Sequence, residues 1–140
     1  MVESSVLKFA LMSELSAIQE AIETSKSLLD LRSNWDDDGA LAIEQGIYEQ
    51  AIAFLKDYSM FVFKIYNVVL AAPDINPVKN GTIDLEWHTS SARMLVNIRG
   101  DIAAYYGDNL DDLNSIKGRV STHGVEGFLA NWMTKLNGQK

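Results

Sequence analysis

The chain has 140 residues, 47% of them apolar and 22% charged, which is typical of one globular domain (1–140) rather than a disordered segment. It contains no cysteine, which excludes disulfides, thiolate metal ligands and cysteine nucleophiles and fits a reducing cytoplasm. Nineteen acids oppose twelve bases, so the net charge of −7 disfavours direct binding to nucleic acid and to anionic membranes.

The N-terminal stretch MVESSVLKFALMSE lacks a basic start, and Lys8 breaks its apolar run, so we expect no signal peptide. The longest apolar candidate, Met60 to Ala72, is interrupted by Lys64 and Asn67. It falls short of the roughly 18 apolar residues of a membrane span. We therefore expect a cytoplasmic protein that does not cross a membrane.

Helical spacing of apolar residues predicts two helices in the first half of the chain. The first should run from about Ser5 to Leu31, and the second should begin near Ile43. The second has ended before Pro73, because the residue before a proline is extended. The prediction leaves open where between Tyr58 and Ala72 this helix ends.

The middle of the chain alternates apolar and polar residues, which is typical of half-buried strands. Three such segments follow the Asn80-Gly81 turn: TIDLEWH, RMLVNIR and IAAYYG. The turns between them are short, so the strands should form an antiparallel meander. Residues 108–120 are polar and their secondary structure is ambiguous, and a last helix should span about Thr122 to Leu136. We predict an α+β fold with two N-terminal helices, a three-stranded antiparallel meander sheet and a C-terminal helix packed on the sheet.

The stretch NWDDDGA, from Asn34 to Ala40, partly fits an EF-hand calcium loop. Asn34, Asp36 and Asp38 take the first, third and fifth positions, and a glycine takes the sixth. The ninth position is Ala42 and the twelfth is Gln45, so the bidentate glutamate that completes the calcium shell is missing. We therefore predict no metal, with these three residues as the candidate ligands if there is one.

Two other interpretations of this loop remain. Asn and Asp side chains accept hydrogen bonds from free backbone N–H groups at turns and helix starts, and Trp35 could pack beneath the loop. In that case the loop is a connection between helices. Alternatively, Trp35, Asp36, Asp37 and Asp38 form an acidic contact surface, which we take as the candidate binding surface.

The segments LRSNWDDDGA, AIAFL and NGTIDLEW resemble a set of small bacterial proteins of unknown function. Those proteins share a loop N-W-D-G-Y-G-A, then a helix, then a strand G-x-I-x-L-E-W. The resemblance covers roughly Leu28 to Tyr106 and departs at Asp37 and Asp38, where the pattern has glycine and tyrosine. It implies an α+β architecture and a bacterial or phage origin, and it implies no activity.

Glu86 and His88 are two residues apart on a predicted strand and therefore share its polar face. A histidine beside a carboxylate can do acid–base chemistry, but a solvated pair explains the pattern equally well. Phosphate-binding, dinucleotide-binding and zinc-protease motifs are absent from the sequence, so we expect no cofactor.

Aromatic side chains on the second helix suggest a homodimer. Phe61, Phe63 and Tyr66 lie on different sides of that helix, and a helix that is apolar all round must be buried by something. The adjacent Tyr105 and Tyr106 should place one ring on each face of the sheet, one in the core and the other at the surface.

Together these features predict a small acidic protein-interaction module, of the inhibitor, immunity or antitoxin kind, that binds a basic protein partner. The alternative is a small enzyme or ligand-binding protein that uses Glu86, His88 and the Asp36–Asp38 loop. The sequence leaves the question of catalysis open and favours a protein without it.

Overall fold

A computed structural model describes residues 13–138 of the chain. Within these described residues, three α-helices and five β-strands follow one another in an α+β order, with short 3₁₀ helices at Ser13–Leu15 and Lys26–Asp30 on either side of the first α-helix. The α-helices are α1 (Ser16–Ser25), α2 (Gln45–Tyr66) and α3 (Gly127–Met133). The strands are β1 (Asp74–Pro77), β2 (Ile83–His88), β3 (Ala92–Ile98), β4 (Ile102–Asn109) and β5 (Ser115–Ser121).

Within residues 13–138 the sheet has five strands, so the prediction of a three-stranded sheet was wrong. The strands pair in chain order, β1-β2-β3-β4-β5, and every pair is antiparallel. The two missed strands are the edges. β1 has four residues and ends at Pro77, and proline argues against a strand. β5 comes mostly from the polar stretch 108–120 and carries only two large apolar side chains, Ile116 and Val120.

The helices match their predictions in part. The first was predicted from Ser5 to Leu31, and within the described residues its α-helical part is α1, while residues before 13 lie outside the description. α2 begins two residues after the predicted start and ends at Tyr66, and the capping residue that follows, Asn67, adopts a left-handed conformation (φ 56°). α3 is shorter than predicted at both ends. It begins after Glu126, which caps it by accepting hydrogen bonds from the N–H groups of Phe128 and Leu129, and it ends at Met133.

The helices cover one face of the sheet, and the core lies between the two layers. Alternate residues of the central strands point into it, and Leu85, Val96 and Ile98 are fully buried there. Trp87 is also buried, and its indole N–H donates to the carbonyl of Ala71 at 2.7 Å. The side of the sheet that faces the helices therefore carries the packing.

Two glycines make room for aromatic rings on this inward side. A Cβ atom at Gly107 would lie 2.6 Å from the Trp132 ring of α3, and one at Gly118 would lie 2.6 Å from the hydroxyl of Tyr105. Both positions face the core side of β4 and β5. The rings can therefore lie directly against the sheet only because these strands lack side chains there.

No helix within residues 13–138 has the length and apolarity needed to cross a bilayer.

Candidate functional site

No helix or strand of residues 13–138 covers the opposite side of the sheet, and the residues on that side follow from the strand register. One row across the strands contains Asp74, Glu86, Leu95, Tyr106 and Lys117. The next row towards the end of β2 contains His88, Arg93, Asp108 and Ser115. We call this surface the open face. None of these side chains is fully buried, whereas their neighbours along β2 and β3 are.

Glu86 and His88 lie side by side on the open face. The Nε2 atom of His88 is 3.2 Å from a carboxylate oxygen of Glu86, and their side chains are 54% and 39% exposed, respectively. They border a depression of about 220 Å³, whose other exposed walls are the side chains of Arg93, Leu95, Tyr106 and Asp108. Small-molecule pockets usually have volumes of about 300–1,000 Å³, so this depression suits one side chain of a partner better than a whole substrate.

The cross-strand partners of this site were missed from the sequence. Arg93 stands directly opposite both His88 and Asp108, and Leu95 stands opposite Glu86 and Tyr106. Their positions depend on the strand register, which the turn lengths set and which neighbouring sequence letters do not show. The alternation of Arg93, Leu95 and Asn97 on β3 was the available signal.

Charge is unevenly distributed over the open face. Asp74, Asp84 and Glu86 give β1 and β2 an acidic strip, while Lys117 and Arg119 make β5 basic. Asp74 stands directly opposite Glu86, and like charges in that arrangement destabilise a sheet. Asp84 has a partner, since the side-chain amide of Asn97 donates to it at 2.8 Å.

The aspartate loop, residues 34–40, closes on itself through hydrogen bonds. The side-chain oxygen of Asn34 accepts from the N–H of Gly39 at 2.7 Å. One carboxylate oxygen of Asp36 accepts from the N–H groups of Asp38 and Ala40 at 2.9 and 3.0 Å. The bond from Asp38 is the main cause that holds the pKa of Asp36 below its ordinary value. Two of the three candidate metal ligands therefore direct an oxygen at the loop's own backbone.

The loop is attached to its surroundings at two points. Trp35 is half-buried, and its indole N–H donates to the carbonyl of Leu41 at 3.0 Å. Asp38 forms an ion pair with Lys79, which lies in the connection between β1 and β2. Asp37 is exposed and has a positive φ of 58°. Among residues 13–138, no three acidic or histidine side chains converge as metal ligands would.

A second histidine pair lies at the opposite end of the hairpin formed by β3 and β4. The Nε2 atom of His123 is 3.0 Å from Asp101 in the turn, and the side-chain amide of Gln50 donates to the same carboxylate oxygen. The hydrogen bond with His123 holds the pKa of Asp101 below its ordinary value. Both side chains are more than two-thirds exposed, so this pair lies on the surface.

The aromatic residues of α2 that suggested a dimer are half-buried within the single chain. Phe61, Phe63 and Tyr66 pack against the core, and Phe61 and Tyr66 contact edge to face with ring centroids 6.5 Å apart. Ile65, on the same turn, is 60% exposed. Self-association through α2 stays a prediction.

No family model, curated protein or solved structure matches this chain. The resemblance of residues 28–106 to the small bacterial proteins therefore also stays a prediction.

Proposed function

We propose that this protein is a small protein-interaction module that binds a basic protein partner through the open face. The observation that carries the proposal is the pair of apolar side chains at the centre of that face. Leu95 is 38% exposed and Tyr106 is 48% exposed, and they stand directly opposite each other on neighbouring strands. Within residues 13–138, no element covers them.

This arrangement has the composition of a binding hot spot. Tyrosine and arginine are enriched at the centres of protein interfaces, where surrounding polar residues keep water away from the anchor. Tyr106 and Leu95 supply the anchor, and Glu86, Arg93 and Asp108 surround it. A partner side chain that enters the depression beside Tyr106 would bury apolar area on both molecules.

The charge distribution supports a basic partner. Asp74 and Glu86 stand directly opposite each other on neighbouring strands, so a lysine or arginine from a partner would place a positive charge between two acidic residues. The aspartate loop adds to this acidic side, because Asp38 lies beside the connection between the same two strands. The aspartate loop would form a second contact with the partner, through Trp35, Asp36 and Asp37. The bases of β5, at the opposite edge of the same open face, would orient the partner.

The proposal includes an inhibitory, immunity or antitoxin role, in which the module masks a basic protein. It also includes a bacterial and cytoplasmic setting. The cysteine-free composition supports the cytoplasmic setting, and the resemblance of residues 28–106 supports the bacterial one.

Selection of peptides from a random library on the immobilised protein tests the proposal without a known partner. We expect a family of peptides that combine lysine or arginine with one aromatic or aliphatic residue. Their binding should weaken in Glu86→Gln and Leu95→Ser and should persist in Phe128→Ser, since Phe128 is 59% exposed on α3. Selection that yields no basic family, or a basic family that depends on Phe128, would contradict the proposal.

The second candidate is a small enzyme or ligand-binding protein, and the 3.2 Å contact between Glu86 and His88 favours it. A thermal-shift screen of small metabolites tests this candidate. A compound that stabilises the native protein and not His88→Ala would favour it over the interaction module.

A further inference from the structure

The two edges of the sheet differ in what they offer to another strand. An edge strand carries unpaired N–H and C=O groups, which can template pairing with a further chain. In an antiparallel sheet, residues alternate between pairing with the neighbour and pointing away from it. The register therefore shows which backbone groups of β1 and β5 face outward.

The outer edge of β1 is blocked. The N–H of Val78 donates to the carbonyl of Thr82, so Asn76 and Asp74 bond to β2, while Ile75 and Pro77 point outward. Pro77 has no N–H, which leaves the outer edge of β1 a single donor. α1 also lies against this strand. Strand addition at β1 is therefore disfavoured.

The outer edge of β5 presents outward-facing backbone N–H and C=O groups at regular intervals. The N–H of Asn109 donates to the carbonyl of Asn114, and that of Thr122 donates to the carbonyl of Asp101. These two bonds fix the alternation over the whole strand. The residues that turn both N–H and C=O outward are Ser115, Lys117, Arg119 and Ser121. β5 is seven residues long and contains no proline.

The side chains of β5 also remain incompletely covered. Ile116 and Val120 face the core side, yet both are only half-buried, and no residue of the strand is fully buried. Within residues 13–138 no strand lies beyond β5, so none of the described residues forms a strand beside the outer flanks of these two side chains. A sixth strand would cover them and would satisfy the outward backbone groups.

Charge determines which strand fits. Lys117 and Arg119 project from the open side of β5. If a second copy paired antiparallel through the same edge, Lys117 or Arg119 would stand opposite another base in each central register, which is unfavourable. A strand with acidic residues at alternate positions would place a carboxylate opposite each base. The charges that exclude a second copy therefore select an acidic strand.

We propose that the outer edge of β5 binds an extended acidic segment of a partner protein by strand addition. This contact is separate from the Leu95–Tyr106 anchor, because it uses the backbone edge of the sheet and the opposite charge. The partner segment would alternate acidic residues, facing Lys117 and Arg119, with apolar residues that extend the cover over Ile116 and Val120.

Amide hydrogen exchange with a defined peptide tests the proposal. The probe is a short end-blocked peptide in which glutamate alternates with valine. In the free protein the amides of Lys117 and Arg119 should exchange fast and those of Ile116 and Gly118 slowly. Saturating peptide should slow exchange at Lys117 and Arg119 by about tenfold or more and leave the other two unchanged.

Two control peptides separate strand addition from simple charge attraction. A peptide with lysine in place of glutamate should not bind. A glutamate peptide that is N-methylated at the pairing amides keeps its charge but loses its backbone donors. It should therefore no longer protect the amides of Lys117 and Arg119 from exchange. Equal binding of the methylated peptide would overturn strand addition.

Variants of the protein complete the test. Lys117→Glu combined with Arg119→Glu should weaken the glutamate peptide about five- to tenfold, whereas Arg93→Glu, on an interior strand of the same face, should have little effect. If Lys117 and Arg119 become protected without peptide as protein concentration rises, the edge binds a second copy and the proposal is overturned.

Discussion

Tyr105 and Tyr106 are neighbours in the chain and lie in different environments. Tyr105 faces the helices, and its ring lies across Gly118 of the adjacent strand. Tyr106 faces the open side, where it is 48% exposed beside Leu95. The difference shows how the alternation of a strand separates two roles. The inward face packs the core, and the open face is the proposed binding surface.

The test of this contrast with the largest expected effect compares the stability lost on substitution of Trp87 with that lost on substitution of the adjacent His88. Trp87 is buried and hydrogen-bonded, so Trp87→Ala should lower the free energy of unfolding by about 3–5 kcal/mol. His88→Ala removes only an exposed side-chain contact with Glu86 and should change the free energy of unfolding by less than about 1 kcal/mol. Urea denaturation measures both. Similar losses for the two variants would break the division between the faces.

A glycine substitution sharpens the account of the inward face. A methyl group at Gly107 would collide with the Trp132 ring, so Gly107→Ala should destabilise the protein by about 1–3 kcal/mol. Gly127 begins α3 and has nothing within 4 Å of its missing Cβ. Gly127→Ala should therefore stabilise it by about 0.4–1 kcal/mol. Thermal unfolding distinguishes these opposite signs, and a neutral Gly107→Ala would contradict the packing described.

Tyr106 tests the open face. Tyr106→Ala should weaken binding of the selected basic peptides by about 2 kcal/mol, roughly thirtyfold, since the ring is the proposed anchor. It should alter the free energy of unfolding by no more than about 0.5 kcal/mol. Titration calorimetry and denaturation measure the two quantities. A variant that loses stability while retaining affinity would assign Tyr106 to the core.

The like-charge pair gives a smaller effect of defined sign. Asp74→Asn removes the repulsion with Glu86 and should stabilise the protein by about 0.2–1 kcal/mol while weakening a basic ligand. Asp108→Asn is the matched control. Because Asp108 stands opposite Arg93, neutralising it should not stabilise the protein. A destabilised Asp74→Asn would argue against a repulsive strip.

The smallest predicted effect is the pH dependence of the aspartate loop. The pKa of Asp36 is lowered in the folded protein, so its contribution to stability is present above the unfolded value of about 3.9. That contribution is lost as the pH falls through the folded pKa. The stability difference between the native protein and Asp36→Asn should therefore shrink from pH 7 to pH 3. An equal stability difference at pH 7 and at pH 3 would contradict this account of the loop.

The central strands could be predicted from the sequence, and the edges could not. Ile83, Leu85 and Trp87 alternate with polar residues because one face of β2 is buried, and that pattern is visible in the letters. An edge strand buries fewer apolar side chains, so its sequence shows a weaker apolar–polar alternation. The four residues of β1 include Pro77, and no residue of β5 is fully buried, so neither carries a strong apolar pattern.

The candidate site was predicted to the same partial extent. The proximity of Glu86 and His88 follows from a spacing of two on one strand. Arg93 and Asp108 come from two further strands, and their places depend on the cross-strand register. The loop at Asn34 shows the same limit. The hydrogen bond from the N–H of Gly39 to the Asn34 side chain depends on a left-handed conformation of Asn34 (φ 66°), and the sequence alone does not determine that conformation.

Chemical-shift mapping of a selected basic peptide on the isotope-labelled protein tests the central claim most directly. We predict that the perturbed amides and side chains lie on the open face, centred on Leu95 and Tyr106 and extending to Glu86. Perturbations centred instead on the helical side, around Ile65 or Phe128, would contradict the assignment of the open face as the binding surface.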